Sequence, residues 1–290
     1  MMNSSPKTLQ IFLPDGTPKG IQVAELTTRI IQAVSVPRTE LQAFFERDKE
    51  VNHVGTYFLF GSKDNTTKQT AYIGQTEDLR QRLKQHDANK EFWTTAVILI
   101  SRTHSFTQAH IRWLEWYSIK LATEANRYRL ENGNNGSEPH VTEAIQADLV
   151  EVFDTGRLLL QSLGYPIFEP LVSRSETGES DKIEYWYCKG PDAEATGTIT
   201  NDGFVVLKGS RCRKAFTPSA TESPFAKKRD QQLAEGILLE KGRSLEFLED
   251  TIYSSPSAAA AVVLARHVNG WSSWIDKEGK TLDERKRKGD

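Results

Sequence analysis

Gly55-Thr56-Tyr57-Phe58-Leu59-Phe60, followed after a polar loop by Ala71-Tyr72-Ile73-Gly74-Gln75-Thr76, is the stretch on which a reading of this chain turns. Both runs are short and rich in aromatic and β-forming residues, and Ser62-Lys63-Asp64-Asn65-Thr66-Thr67 separates them. That pattern predicts an antiparallel hairpin with a long loop. Over residues 78–87 charges alternate around Leu79 and Leu83, which lie four apart and give a helix one apolar face. Arg82 and His86 are also four apart and share a neighbouring face. Residues 96–100 read as a buried strand. Residues 106–125 carry Ile111, Leu114, Ser118, Leu121, Ala122 and Ala125 at helical spacing, with Glu115 beside the stripe. The order strand, strand, helix, strand, helix predicts an α+β domain over residues 51–135, a small three-stranded antiparallel sheet flanked by helices.

Outward from this core, residues 1–50 read as an N-terminal extension of a hairpin and a short helix. Pro14-Asp15-Gly16-Thr17 marks its turn, and Thr39 caps a helix through Leu41, Phe44 and Phe45. Residues 136–172 contain a helix over 141–163, acidic on its outer face, that braces the central domain. The polar, aperiodic run 173–182 reads as a linker. Residues 183–290 form a separate α+β module. Strands are expected at 183–188, 195–200 and 204–208, with Asn201-Asp202-Gly203 as a tight turn, and a helix is expected over 225–241. Ser255-Pro256 starts a further helix that Asn269-Gly270-Trp271 ends, and a final hairpin follows at Trp274 to Gly279.

At 290 residues the chain can bury more than one core. Its net charge of -2 excludes a polycation, so nucleic-acid contact must come from local patches. Residues 205–229 hold seven basic side chains against Glu222 alone. Within that run Lys208, Arg211, Arg213 and Lys214 read either as a solvated surface or as a DNA-contacting face. Two distant cysteines, Cys188 and Cys212, predict neither a disulfide framework nor a zinc site and point to a reducing, cytoplasmic setting. No apolar run approaches the roughly 20 residues that a membrane helix needs, and no signal pattern opens the chain.

The chemistry-bearing residues are the two tyrosines, Arg82, His86 and Glu115. Cutting a phosphodiester needs an activated water and a stabiliser for added negative charge, and a divalent ion can serve both ends. Magnesium takes oxygen ligands and keeps several waters, so one carboxylate, Glu115, can anchor it. Arg82 offers a planar fork for a phosphate, and His86 a proton carrier. Taken singly, Arg82 and His86 read as solvated helix residues, Glu115 as an amphipathic-helix acid and the tyrosines as strand packing; spacing leaves both readings open.

Gly55-Thr56-Tyr57, Tyr72-Ile73-Gly74, Asp78-Leu79-Arg80-Gln81-Arg82-Leu83 with His86, then Glu115 and Asn132, resembles the GIY-YIG nuclease signature in its order over roughly 80 residues. Thr56 departs from the usual isoleucine, and the loop between the motifs is longer than usual. The resemblance implies that Tyr57 is the general base and Tyr72 its partner near the attacking water. It makes Arg82 the phosphate stabiliser, with His86 beside it, and Glu115 the ligand of Mg2+ or Mn2+. Asn132 matches the family's asparagine near the site, with Asn134 as a second register. The implied activity is metal-dependent endonucleolytic hydrolysis of DNA; RNA shares the backbone chemistry. One site per chain suits a nickase, or a homodimer making double-strand breaks. A DNA-binding or regulatory protein with an inactive nuclease fold is the alternative. Residues 255–282, with Trp271, Trp274 and Gly279-Lys280-Thr281-Leu282, resemble an uncharacterised domain often fused C-terminal to GIY-YIG nucleases. Trp271 and Trp274 there suit either core packing or base stacking.

Overall fold

A computed structural model describes residues 6–63, 66–133, 136–172 and 183–287. The chain divides into two compact units, the first closing at Pro170 and the second beginning at Leu171. The first carries β1 (Leu9–Phe12), β2 (Gln22–Leu26), β3 (Ile31–Pro37), α1 (Leu41–Phe45), α2 (Asp48–Val51), β4 (Gly55–Gly61), β5 (Thr70–Thr76), α3 (Leu79–Asn89), β6 (Trp93–Ser101), α4 (Gln108–Ala125), β7 (Arg129–Leu130) and α5 (Glu143–Ser162). The hairpin of β4 and β5 pairs from Gly55 opposite Thr76 to Gly61 opposite Thr70. Asp78 caps α3 by accepting from the Gln81 N–H at 2.8 Å, and Thr107 caps α4.

The expected three-stranded sheet is instead seven-stranded, in the order β1-β2-β3-β6-β4-β5-β7. The three expected strands, β6, β4 and β5, sit inside it. The correction comes from β3, which pairs antiparallel with β6 along its length, from Ile31 opposite Ser101 to Pro37 opposite Thr95. An unpaired edge on β6 would leave a row of backbone donors and acceptors open. β3 closes it with a run that is apolar toward both faces, Ala33 and Val34 both being fully buried. Residues 9–37 thus belong to this sheet rather than standing apart from it.

Alternation along β4 sorts the core into two layers. Phe58 and Phe60 face α4 and α5, where Trp113, Leu149, Phe153 and Phe168 pack. Tyr57 and Leu59 face the other way, among Phe44, Leu79, Leu83 and Trp93. Helix α5, capped by Thr142, contributes Phe153, whose ring meets those of Tyr117 and Phe168 edge-on at 4.9 and 4.7 Å.

The second unit holds β8 (Trp186–Gly190), β9 (Ala193–Thr200), β10 (Gly203–Val206), β11 (Arg211–Arg213), α6 (Pro224–Ala234), β12 (Leu238–Lys241), β13 (Ser244–Phe247), β14 (Thr251–Tyr253), α7 (Pro256–Leu264), α8 (Gly270–Ser273) and α9 (Leu282–Lys286). Its sheet runs β12-β13-β11-β9-β10-β14, with β8 also on β9. The helix expected over 225–241 stops early. Gly236 takes φ 73°, a left-handed turn that ends the helix, and Leu238 starts a strand. Residues 270–286 form two short helices around a turn, and Ile275 makes single bridges to Tyr187 and Thr281 rather than a full hairpin. Trp274 is fully buried against Phe204, its N–H donating to the Pro256 carbonyl, so its role is packing. Cys188 and Cys212 are free and buried. The expected linker, residues 173–182, lies outside the described residues. No helix among the described residues is long and apolar enough to cross a membrane.

Phe153→Ala should lower the stability of the first unit by about 3–5 kcal/mol, the usual cost of an emptied aromatic site. Urea unfolding followed by tryptophan fluorescence measures it; a loss under about 1 kcal/mol would show α5 to be an appendage rather than core.

Candidate active site

In the β4–β5 register Tyr57 lies opposite Gly74, and Tyr72 opposite Leu59. Both tyrosines therefore project from one face, diagonal neighbours with ring centroids 6.3 Å apart. The glycine opposite Tyr57 is required by contact. A Cβ on Gly74 would stand 2.3 Å from the Tyr57 hydroxyl oxygen, so only glycine lets the ring lie across the partner strand. That places the hydroxyl under α3, whose Leu79 and Leu83 are fully buried and hold the helix against the sheet.

The next face of α3 then meets it. Arg82 Nε–H donates to the Tyr57 oxygen at 2.9 Å, and His86 Nε2 lies 2.7 Å from the same oxygen. Burial, with the charges of Arg82 and Lys90, pulls His86 down to about 4, so the ring is neutral at pH 7. Arg82 donates to the phenol oxygen, and in the neutral tautomer whose Nε2 is unprotonated the phenol donates to His86. Burial raises the Tyr57 pKa well above the ordinary phenol value, with Arg82 pulling the other way. Hydrogen bonding to Tyr57 in turn raises Arg82, which stays a cation.

Glu115 arrives from α4, at the free edge of β5. Odd-numbered residues of β5 turn their backbone groups toward that edge. The Ala71 carbonyl accepts from the Glu131 N–H at 2.8 Å. Ile73 is matched by the Asn132 side chain, which accepts from its N–H at 3.0 Å and donates to its carbonyl at 2.7 Å. The Gln75 N–H is left for the Glu115 carboxylate. Burial raises the pKa of this half-buried acid, opposed by the Arg82 charge, the Gln75 N–H and Arg112. Beside it an open cleft is lined by Gln75, Thr76, Glu77, Gln81, Arg82, Gln85 and Gln108.

Residues 53–133 match the GIY-YIG catalytic domain. Residues 186–286 match a domain of unknown function, DUF4357. No curated protein and no solved structure matches the chain. GIY-YIG domains make up a nuclease superfamily, so the unit carries a phosphodiester-hydrolase type of domain. The match spans β4 to β7, while β1 to β3 and α5 lie outside it and share its sheet or core.

Within the GIY-YIG domain the structure joins Tyr57, Arg82 and His86 directly. It sets Tyr72 against His86 at 5.1 Å between rings, and brings Glu115 into the field of Arg82. Asn132 stands apart from this cluster. Its amide mimics a strand and completes β5, so it holds the backbone on which Tyr72 and Gly74 ride. Asn134 lies outside the described residues. Lys90, whose ammonium sits 4.4 Å over the Tyr72 ring, was not singled out from sequence. Its signal was available, because Arg82, His86 and Lys90 form one series at spacing four. Of the second unit's basic residues, Arg211 and Arg213 lie on β11, Lys214 pairs with Glu240 at 2.6 Å, and the Lys208 backbone N–H bonds Asp250 at 2.8 Å.

Because the folded His86 pKa lies below its ordinary 6.5, burial of the neutral ring stabilises the domain above about pH 6.5. That contribution fades as pH falls through about 4. In an NMR titration the His86 ring should show an apparent pKa near 4, moving upward in Arg82→Gln as a neighbouring cation is removed. An unshifted ring in the wild type would contradict the buried phenol–imidazole pair.

Proposed function

We propose that the chain is a DNA endonuclease of the GIY-YIG kind, hydrolysing phosphodiester bonds with Mg2+ or Mn2+ held at Glu115, and that its second unit contributes DNA contacts. The observation that carries this reading is the convergence of Tyr57, Arg82 and His86 on one oxygen, with Glu115 anchored at Gln75 beside an open cleft.

The donor set fits such an ion. Among the described residues no group of three or more His, Cys, Asp or Glu side chains gathers to form a cage; Glu115 would be the ion's protein ligand, and Glu77 is a second carboxylate on the cleft wall. The cleft, about 340 Å³, has room for a phosphodiester and several waters at about 30 Å³ each. A hard divalent ion that keeps most of its hydration suits that environment. When bound, the ion would supply Lewis-acid stabilisation of phosphate oxygens and a more acidic water.

The chain's own residues do the rest. Arg82 commits Nε to Tyr57 and one terminal nitrogen to Gln85 at 3.3 Å, and it lines the cleft as a fixed cation for a phosphate. Tyr57 starts as a neutral phenol and is fully buried. It can take a proton from an attacking water only by passing its own to His86 Nε2, one proton in and one out. The neutral state of His86 is therefore a requirement of the relay. Its low proton affinity rises once a phosphate brings negative charge beside it.

One observation favours a second reading, a DNA-binding protein that keeps the fold without cutting. The Tyr57 hydroxyl is enclosed and already has both its partners. Magnesium-dependent nicking of supercoiled plasmid separates the two. The wild type should cut, EDTA should stop it, and Glu115→Ala and Tyr57→Phe should each lose roughly a hundredfold or more. Equal cutting by all three proteins would sink the site, and plasmid binding without cutting would establish the second reading.

A further inference from the structure

The basic side chains of the second unit do not form one surface. In β11, Cys212 is fully buried, so Arg211 and Arg213 share the opposite, outward face. Their cross-strand neighbours differ. Arg211 lies in register with Glu246 on β13 and with Glu194 on β9, whereas Arg213 lies opposite Ser244. Arg211 thus has two acids in register beside it, each of which also pairs with a lysine, Glu246 with Lys241 and Glu194 with Lys189. The acid that shares a groove with Arg213 is Asp192.

Arg213 opens onto a groove lined by Asp192, Lys214, Ala215, Gly242 and Arg243. Among the described residues neither Arg213 nor Arg243 forms an ion pair. Beneath the groove lies Arg229 of α6, only 2% exposed. It donates to the carbonyls of Arg213 and Lys214, each at 2.6 Å, and its guanidinium sits 3.4 Å over the Phe216 ring. No carboxylate among the described residues pairs with it. Two backbone carbonyls are thus drawn inward onto a buried cation, which fixes the segment that presents Arg213 and Lys214. Three cations, Arg213, Lys214 and Arg243, line the groove with Asp192, and Lys214 also pairs with Glu240. Such an excess of positive charge on a rigid turn is stabilised by an anion, and a fixed row of cations suits a repeating one.

We infer that the groove formed by Arg213, Lys214 and Arg243, braced from beneath by Arg229, binds the phosphodiester backbone of DNA, and that Lys208 and Arg211 take no part. The choice of DNA rests on the nuclease reading; the groove itself rests on the charge arrangement. Phosphate contact of this kind positions a module on a duplex without reading its sequence.

The test is fluorescence anisotropy of a labelled DNA duplex with the full chain, without divalent metal, across a salt series. Three proteins are compared: wild type, the double variant Arg213→Gln/Arg243→Gln, and Arg211→Gln. The substituted side chains lie at the protein surface, and matched melting curves check that each variant folds. The double variant should bind about tenfold or more weakly at low salt, with its log–log salt slope shallower by about 2. Arg211→Gln should match the wild type. An unchanged slope in the double variant, an equal loss in Arg211→Gln, no salt-dependent binding by the wild type, or tighter binding to an RNA duplex of the same sequence would each overturn the assignment. Plasmid nicking run in parallel keeps the two readings apart. Cutting with an unchanged slope removes the groove alone, and slope loss without cutting supports the groove while removing the nuclease.

Discussion

A tyrosine lying across a glycine organises this molecule's candidate chemistry. Tyr57 can reach beneath α3 only because Gly74, opposite it in register, has no side chain to block the ring. The hydroxyl then satisfies Arg82 and His86 together, and those two residues are one helical turn apart. A buried phenol without partners would be costly, and a buried imidazole that had to carry charge would be costlier. The three groups solve each other's burial, and the same solution sets their protonation states. Packing and electrostatics are here a single constraint.

The edge of β5 works by a related economy. A strand ending in solvent leaves its outward backbone groups to water, but here successive outward groups meet Glu131, Asn132 and Glu115. Glu115 is thereby held at a backbone N–H as well as by the charges of Arg82 and Arg112. In the second unit Arg229 reverses the signs: a buried cation satisfied by carbonyls, its charge projected outward.

What the sequence made legible follows the range of each interaction. The β4–β5 hairpin, the cap at Asp78 and the pairing of Arg82 with His86 on one face are local, and spacing alone exposes them. The reach of β3 along β6 is not local. Its apolar run reads equally as an isolated extended piece, because nothing in Ile31 to Pro37 names a partner some sixty residues away. Gly236 was readable as a helix stop, yet the apolar spacing of Leu233, Ile237 and Leu238 carried the expected helix past it. Gly74 and Asn132 were visible as motif letters. Their physical work, clearing space for a ring and imitating a strand, needs the register to be known first. That two acids flank Arg211 in register while Ser244 lies opposite Arg213 likewise depends on which strands flank β11.

The pairing of β3 with β6 bears on what counts as a portable unit. The segment that matches the GIY-YIG domain begins at residue 53, so a gene trimmed there omits β1 to β3 altogether. The outer edge of β6 would then be bare from Thr95 to Ser101, an almost wholly apolar stretch with its hydrogen-bonding groups unpaired. Such an edge recruits another copy of itself. For moving this domain into a fusion protein, the piece that keeps its sheet whole starts at the first strand and runs to Pro170, and the boundary drawn by family likeness would yield a sticky fragment.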